Sequence, residues 1–383
     1  MPRETPVDSK IFAREYAKAI QSAAGKIDEL KQGMGLPAVS VSVGLNGEVL
    51  WARATGFSDL AESIPVSINT KFRIGSVSKS VTSLALGKLY ESGDLDLDAP
   101  IQTYVPYFPG KAFPITARQL ASHTAGIRHY SAFSLHSFPP HETFNNRRYN
   151  SVRESLTLFE NDDLLFEPGS QFNYSTYGYT LLSAAIEGAS GQDFLTFMQE
   201  MVFDDLSMLN TAPERNVKQL PNTATFYIPM MGRYHEMFGV SLSCKWGGGG
   251  YLSTSTDLVK MVNALLTHNY LDSATVSLLF TPQKLSSGEM NPQNYSMGWR
   301  NATVTYSEFN GEPESFPVAH HGGQSGGSSA FLLIFPKQKL VVAMMTNINH
   351  SEKFRSTAYQ VAKAFLLQME NSLPIKGRNQ EVR

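Results

Sequence analysis

The sequence has a single cysteine, Cys244, in 383 residues. That excludes an internal disulfide and points to a reducing compartment; a lone cysteine of this kind packs as a small apolar side chain. Long apolar runs are missing too. Stretches such as Phe331–Phe335 and Leu340–Met345 fall far short of the roughly 20 residues a membrane-spanning helix needs. Charge is sparse and mixed: 17% of residues are charged, with a formal net charge of -2. No basic block is available for nucleic acid or anionic lipid. The opening MPRETPVDSK has no apolar leader core and carries Glu4 and Asp8 where a transit peptide would be poor in acids. A cytoplasmic location without a membrane span is therefore the expectation. Internal repeats and low-complexity segments are absent. His123, His129, His136 and His141 lack a metal-ligand spacing, so neither a metal nor another cofactor is expected.

What is present suits a sizeable core. At 42% hydrophobic, the chain fits one large domain or two interleaved ones. Phe12, Tyr16, Ile20, Ala23, Ile27 and Leu30 recur at helical spacing. Val39–Leu45 and Val49–Thr55 flank Asn46-Gly47, a strong hairpin signal. The middle reads as helices, roughly Ser76–Ser92, Ser151–Phe159, Tyr177–Glu187, Asp193–Phe203 and Asp257–His268. Thr254 with Asp257 reads as an ordinary helix start. A long loop runs over 128–150. Strands return at Tyr295–Trp299, Val318–His321, Ser329–Phe335 and Leu340–Asn347. A last helix carries Phe354, Ala358, Val361, Phe365 and Met369 on one face, and Asn349 with Glu352 reads as its capping pair. The expected fold is α+β: an antiparallel sheet flanked by the N- and C-terminal helices, with an inserted, mostly helical lobe. In residue terms, 1–72 joins 294–383 as the sheet lobe, 73–293 is the insertion, and the cleft between them is the expected place for a ligand. The terminal helix can pack within one chain or between copies, so a homo-oligomer is left open.

Three short patterns can carry chemistry. Ser76-Val77-Ser78-Lys79 is the only S-x-x-K in the chain. It follows Gly75 and opens an apolar helix, placing Ser76 at a helix N-terminus, where negative charge is favoured, and Lys79 on the same face. A lysine buried there loses its proton readily and becomes a base. The competing reading is an N-cap serine with a solvated lysine. Tyr174-Ser175-Thr176 follows a Pro168-Gly169 turn and can bring a phenol near a serine, although such a tyrosine commonly just packs. His320-His321-Gly322-Gly323 alternates its two histidines across a strand, which rules out a shared metal on one face. Its glycines admit a close neighbour, and a backbone N–H there can stabilise an oxyanion. Gly323-Gln324-Ser325-Gly326-Gly327 also fits a nucleophile elbow, but a strand follows where a helix is required. Gly247–Gly250 lacks the rest of a phosphate loop and reads as a strand or turn.

Taken in order, these patterns resemble the serine β-lactamase-like and penicillin-binding superfamily, on its class C and esterase branch. They look most like the animal mitochondrial serine β-lactamase-like proteins. Arg73–Ser80, Leu95–Asp98, Ser122–Tyr130, Pro168–Phe172, Tyr174–Leu182 and His320–Gly323 carry the resemblance, which spans about Lys31 to Leu367. It implies that Ser76 is the nucleophile, that Lys79 and Tyr174 handle its proton, and that the N–H groups of Ser76 and Gly323 form the oxyanion hole. Thr176, His320, His321 and Gly322 would contact substrate. Thr176 replaces the asparagine often found in the family, and His320-His321-Gly322 replaces Lys-Thr-Gly. The expected function is a serine hydrolase forming an acyl-enzyme on peptide or ester bonds of a small-molecule or peptide substrate. Weak or no β-lactam turnover is expected, because neutral histidines replace a charge that would hold a carboxylate; an arginine from the loop near 128–165, such as Arg128, Arg147 or Arg148, could restore it. The alternative is a catalytically silent scaffold on the same fold. The resemblance also makes a mitochondrial location a competitor to the cytoplasmic one.

Overall fold

Asn46 and Gly47 both adopt positive φ, 52° and 95°, and join Leu45 directly to Glu48. This two-residue turn matches the natural strand twist and sets the register of the central hairpin. The computed structural model describes residues 5–132, 141–215, 220–309, 312–349 and 352–371. The hairpin strands are β2 (Ala38–Leu45) and β3 (Glu48–Asp59). With β1 (Val7–Ile11), β4 (Arg300–Phe309), β5 (Glu312–Ser325), β6 (Ser328–Phe335) and β7 (Leu340–Thr346) they form one antiparallel sheet ordered β1-β3-β2-β7-β6-β5-β4. A two-residue strand, Ile64–Pro65, adds to β3.

Both faces of the sheet are covered, which explains why β7 reads as an unbroken apolar run. Leu340, Val342 and Met344 turn to α1 (Ala17–Met34) and α5 (Glu352–Asn371). Val341, Ala343 and Met345 turn to the opposite core, shared with α2 (Val77–Ser92), α3 (Thr176–Ser190) and α4 (Ser255–Leu266). Helix α4 lies close on β2: Ser255 Oγ is 2.9 Å from Ser40 Oγ and 2.8 Å from Ser42 Oγ. Its N-cap is Thr254, whose hydroxyl accepts from the Asp257 N–H as the sequence implies. Cys244 is buried and unpaired. Among the described residues no helix is long and apolar enough to cross a membrane.

Several expectations change. The first helix begins at Ala17, not near Phe12; Val7–Ile11 is an edge strand paired with β3, and Phe12 is exposed. Tyr295–Trp299 is a turn region, because Gly298 takes φ 88° and the Ser296 N–H bonds Trp299 O. The strand starts after it, at Arg300. The segment after Asp193 is a short α-helix, Phe194–Met198, followed by a wider-wound turn, Gln199–Asp204. Gly247–Gly249 belong to a helical turn, Trp246–Gly249, with Tyr251–Ser253 as the strand beyond. The Asn349 side chain accepts from the Gly327 N–H and donates to Ser325 O and Ser328 O, tying down the β5–β6 turn. Of the 128–150 loop, residues 133–140, and His136 with them, lie outside the described residues.

Candidate active site

Ser76 is the residue from which α2 starts, yet its side chain makes no capping bond. Its hydroxyl is left for other partners. Gly75, at φ 49°, lets the chain pass β5: a Cβ there would stand 2.6 Å from Gln324 N. A Cβ on Gly323 would likewise meet Ile74 O at 1.9 Å and Ser76 N at 3.1 Å. Only glycines permit this approach, which brings the Gly323–Gln324 backbone against the Ser76 N–H.

Lys79 sits one turn into α2 with no exposed surface. Its Nζ lies 3.4 Å from Ser76 Oγ, 3.1 Å from Thr176 Oγ1 and 2.6 Å from Gly248 O. No carboxylate is among these partners. Burial, then the charges of Lys245 and Arg300, hold its pKa well below the usual lysine value. A neutral amine has two N–H groups and one lone pair. Gly248 O can only accept and takes one N–H; the other N–H and the lone pair are shared between the Thr176 and Ser76 hydroxyls, each of which can accept or donate. The solvated-lysine reading therefore does not hold.

Tyr174 completes the group. It lines the same cleft as Ser76, and its ring centroid is 4.8 Å from Lys79 Nζ. Burial raises its pKa to about 12, offset in part by Ser76 and Arg300, so it stays protonated near neutrality. Behind it stands His123, 2% exposed and at φ 64°. Its ring is 4.2 Å from that of Tyr174 and its Nδ1 accepts from the Ser175 N–H, while Nε2 has no partner. Burial and the nearby Lys79 charge lower its pKa well below the histidine norm, so it is a neutral prop for Tyr174.

The third pattern divides between two faces. His321 turns toward Tyr174 and Tyr295: its Nε2 is 2.9 Å from the Tyr295 hydroxyl, and its Nδ1 is 2.8 Å from Gly322 O. Since a carbonyl only accepts, Nδ1 carries the proton and Nε2 accepts from the tyrosine. Burial, first of all, keeps this histidine neutral. His320 turns to the other face, 5.6 Å from the Phe331 ring, with its pKa pushed down to about 4 by burial and by Arg300 and Arg355. It still lines the same cleft. Thr176 is 2% exposed beneath Lys79, so it holds the amine and has little surface to offer a substrate. Gly322 borders the cleft directly. The elbow alternative does not form, because Ser325 ends β5 and a two-residue turn leads straight into β6.

Ser76, Tyr174, His321, Gly322 and Gly323 share a cleft of about 690 Å³ with Arg300 and Arg355. Sequence reasoning missed Arg300 and did not use His123. Arg300 is placed by the β4–β5 pairing, opposite His320, a relation that no local spacing carries. The loop arginines proposed for a compensating charge are engaged elsewhere or remote. Arg128 pairs with Glu142 and Asp162, Arg147 with Glu154, and Arg148 lines a separate cavity.

This geometry sits on a fold with known relatives. The family model described as Beta-lactamase matches residues 24–366, and the chain belongs to that family. Within it, the human serine beta-lactamase-like protein LACTB, mitochondrial, is 31% identical over 92% of this chain and 81% of its own length. The bovine protein of the same description is 31% identical over 92% and 80%. Penicillin-binding protein 4* of Bacillus subtilis is 24% identical over 86% of this chain and 72% of its own. Two solved structures share the fold. The octameric penicillin-binding protein homologue from Pyrococcus abyssi has a TM-score of 0.71 at 24% identity, covering 91% of this chain and 77% of its own. FmtA from Staphylococcus aureus has a TM-score of 0.73 at 19% identity, covering 90% of each.

Proposed function

We propose that the protein is a serine hydrolase that works through an acyl-enzyme on ester or peptide bonds. The observation that carries this is Lys79: a fully buried amine with no acid partner among the described residues, beside a serine hydroxyl that shares its cleft with Tyr174. In this reading Ser76 Oγ attacks the substrate carbonyl carbon, and its proton passes to the Lys79–Tyr174 unit. The same proton reaches the leaving group as the acyl bond breaks. Water then attacks the Ser76 ester, giving its proton to the same unit, and the acid is released with the serine restored. The Ser76 N–H and an N–H of the adjoining segment, from Gly323 or its neighbour Gln324, supply the oxyanion donors.

The reading places catalysis between a sheet lobe, 1–72 with 294–383, and a helical insertion, 73–293. The expectation of weak β-lactam turnover rests on a third strand without charge. The histidines are neutral, but Arg300 stands beside them, so that argument for poor carboxylate binding falls away. The relatives described as mitochondrial support a mitochondrial location over a cytoplasmic one. An assembly of several copies fits the same reading, since the octameric archaeal homologue shares the fold. Reaction with a neutral fluorophosphonate, followed by peptide mapping, tests the core of the proposal. Adduct on Ser76, absent in Ser76→Ala, is expected; a silent scaffold would take up no label.

A further inference from the structure

Helix α3 opens directly after Tyr174, with Ser175 as its N-cap and Thr176 as its first residue. The N–H groups at such a start have no partner within the helix. Here two histidines meet them. The Ser175 N–H donates to Nδ1 of His123 and the Thr176 N–H to Nδ1 of His129, each at 3.2 Å. The backbone carbonyl of His123 also accepts from the Asn173 N–H at 2.9 Å, so this residue grips the chain on both sides of Tyr174. Both imidazoles pack on the phenol ring, with centroids 4.2 Å and 5.7 Å from it. Thr176, held in this way by His129, places its Oγ1 3.1 Å from Lys79 Nζ.

An imidazole accepts at Nδ1 only when that nitrogen is bare, so both rings are neutral with the proton on Nε2. The surroundings favour that state. Burial first, then the Lys79 charge, lowers both pKa values, that of His129 to about 4. Helix starts are more often met by Ser, Thr, Asn or Asp. A carboxylate at either place would stabilise the Lys79 ammonium, whereas a neutral imidazole satisfies the N–H groups without doing so. His123 holds its place under strain. Its φ of 64° is one that few non-glycine residues adopt, and its buried Nε2–H has no partner among the described residues. Such costs persist where the surrounding structure imposes them, most often at functional sites.

We infer that His123 and His129 are positioning residues: their bare Nδ1 atoms hold residues 173–176 so that the Tyr174 phenol and the Thr176 hydroxyl stay beside the Ser76–Lys79 pair. This rests on the acyl-enzyme reading above.

Asparagine and phenylalanine separate the acceptor from the ring. Asparagine carries Oδ1 where imidazole carries Nδ1 and tolerates positive φ; phenylalanine keeps a ring and has no acceptor. The readout is the rate at which a neutral fluorophosphonate labels Ser76. His123→Phe and His129→Phe should each slow it by about ten- to a hundred-fold, the scale of a misplaced catalytic group, while His123→Asn and His129→Asn should stay within about three-fold of the wild type. Adding His123→Phe to Tyr174→Phe should cost little more, since no phenol is left to position. Folded phenylalanine variants that label at the wild-type rate would overturn the inference. So would asparagine variants as slow as the phenylalanine ones, or a fully multiplicative loss in the double variant. Ring-nitrogen magnetic resonance of 15N-histidine in the wild type tests the same point without a substitution. Both rings should carry the proton on Nε2 around neutral pH, and a proton on either Nδ1 would overturn the inference. The two ideas stay separable: no adduct on wild-type Ser76 defeats the acyl-enzyme reading, whereas an adduct formed at an unchanged rate in the phenylalanine variants defeats only this one.

Discussion

Lys79 must be neutral to accept a proton, and that fixes the direction of the pH dependence. Its pKa is held well below 10.5 by burial, then by Lys245 and Arg300. kcat/KM should therefore rise as pH climbs through that lowered value and then level off. Tyr174 keeps its proton up to about 12, so no alkaline decline is expected from it below that point. Lys245 is buried, with its ammonium over the Tyr130 ring at 5.1 Å, and it does not touch Ser76. Replacing it by methionine removes the larger of the two repelling charges, so the acid limb of a Lys245→Met pH–rate profile should move to higher pH. A limb that stays in place would break its assignment to Lys79.

At the scale of elements, two glycines separate propensity from packing. Gly25 lies exposed within α1, and a Cβ there meets nothing within 4 Å. Gly25→Ala should stabilise the protein by about 0.5–1 kcal/mol, the helix-propensity difference, and leave activity unchanged. Urea unfolding with an activity assay checks both. Gly248 is the opposite case. A Cβ there would stand 2.7 Å from Thr176 Cγ2 and 3.0 Å from Thr176 O, and Gly248 O accepts from Lys79. Gly248→Ala should displace Lys79 and Thr176 together and slow Ser76 acylation by about ten-fold or more, on the scale of general acid–base help. Stopped-flow labelling measures it; an unaffected rate would mean that the Lys79 anchor is unimportant.

Legibility followed the same division. The Ser76–Lys79 pair was readable because both residues lie on one helix, where a spacing of three fixes a shared face. The central hairpin was readable from Asn46-Gly47. The edge strands were not: Val7–Ile11 and Arg300–Phe309 are short on apolar residues, because their outer sides face water. Tyr295–Trp299 has the aromatic content of a strand, yet its rings are buried to anchor a turn, with Trp299 Nε1 donating to Ser83 Oγ at 3.2 Å. Arg300 and His123 reach the site only through tertiary pairing, which no local pattern encodes.

At the scale of the whole molecule, a buried ion pair holds the segment before Ser76 to Glu214, and the same arginine reaches the sheet. Arg73 donates to both oxygens of Glu214 at 2.7 Å and also to Gly326 O at 2.6 Å, in the β5–β6 turn. The Arg73 and Glu214 side chains are only 6% and 4% exposed. Glu214→Gln leaves a buried guanidinium without its counter-charge and should cost about 3–5 kcal/mol, whereas replacing both partners by apolar residues should cost much less. Chemical denaturation of the single and double variants tests this; equal losses would show that the pair's charge is unimportant.

The central claim is that Ser76 is a nucleophile activated by a neutral Lys79. The most direct measurement is peptide mapping after reaction with a neutral fluorophosphonate, on the wild type and on Lys79→Ala. The account predicts one adduct, on Ser76, formed at least about a hundred-fold more slowly in Lys79→Ala. An adduct on Ser325, or one on Ser76 that forms equally fast without the lysine, would contradict it.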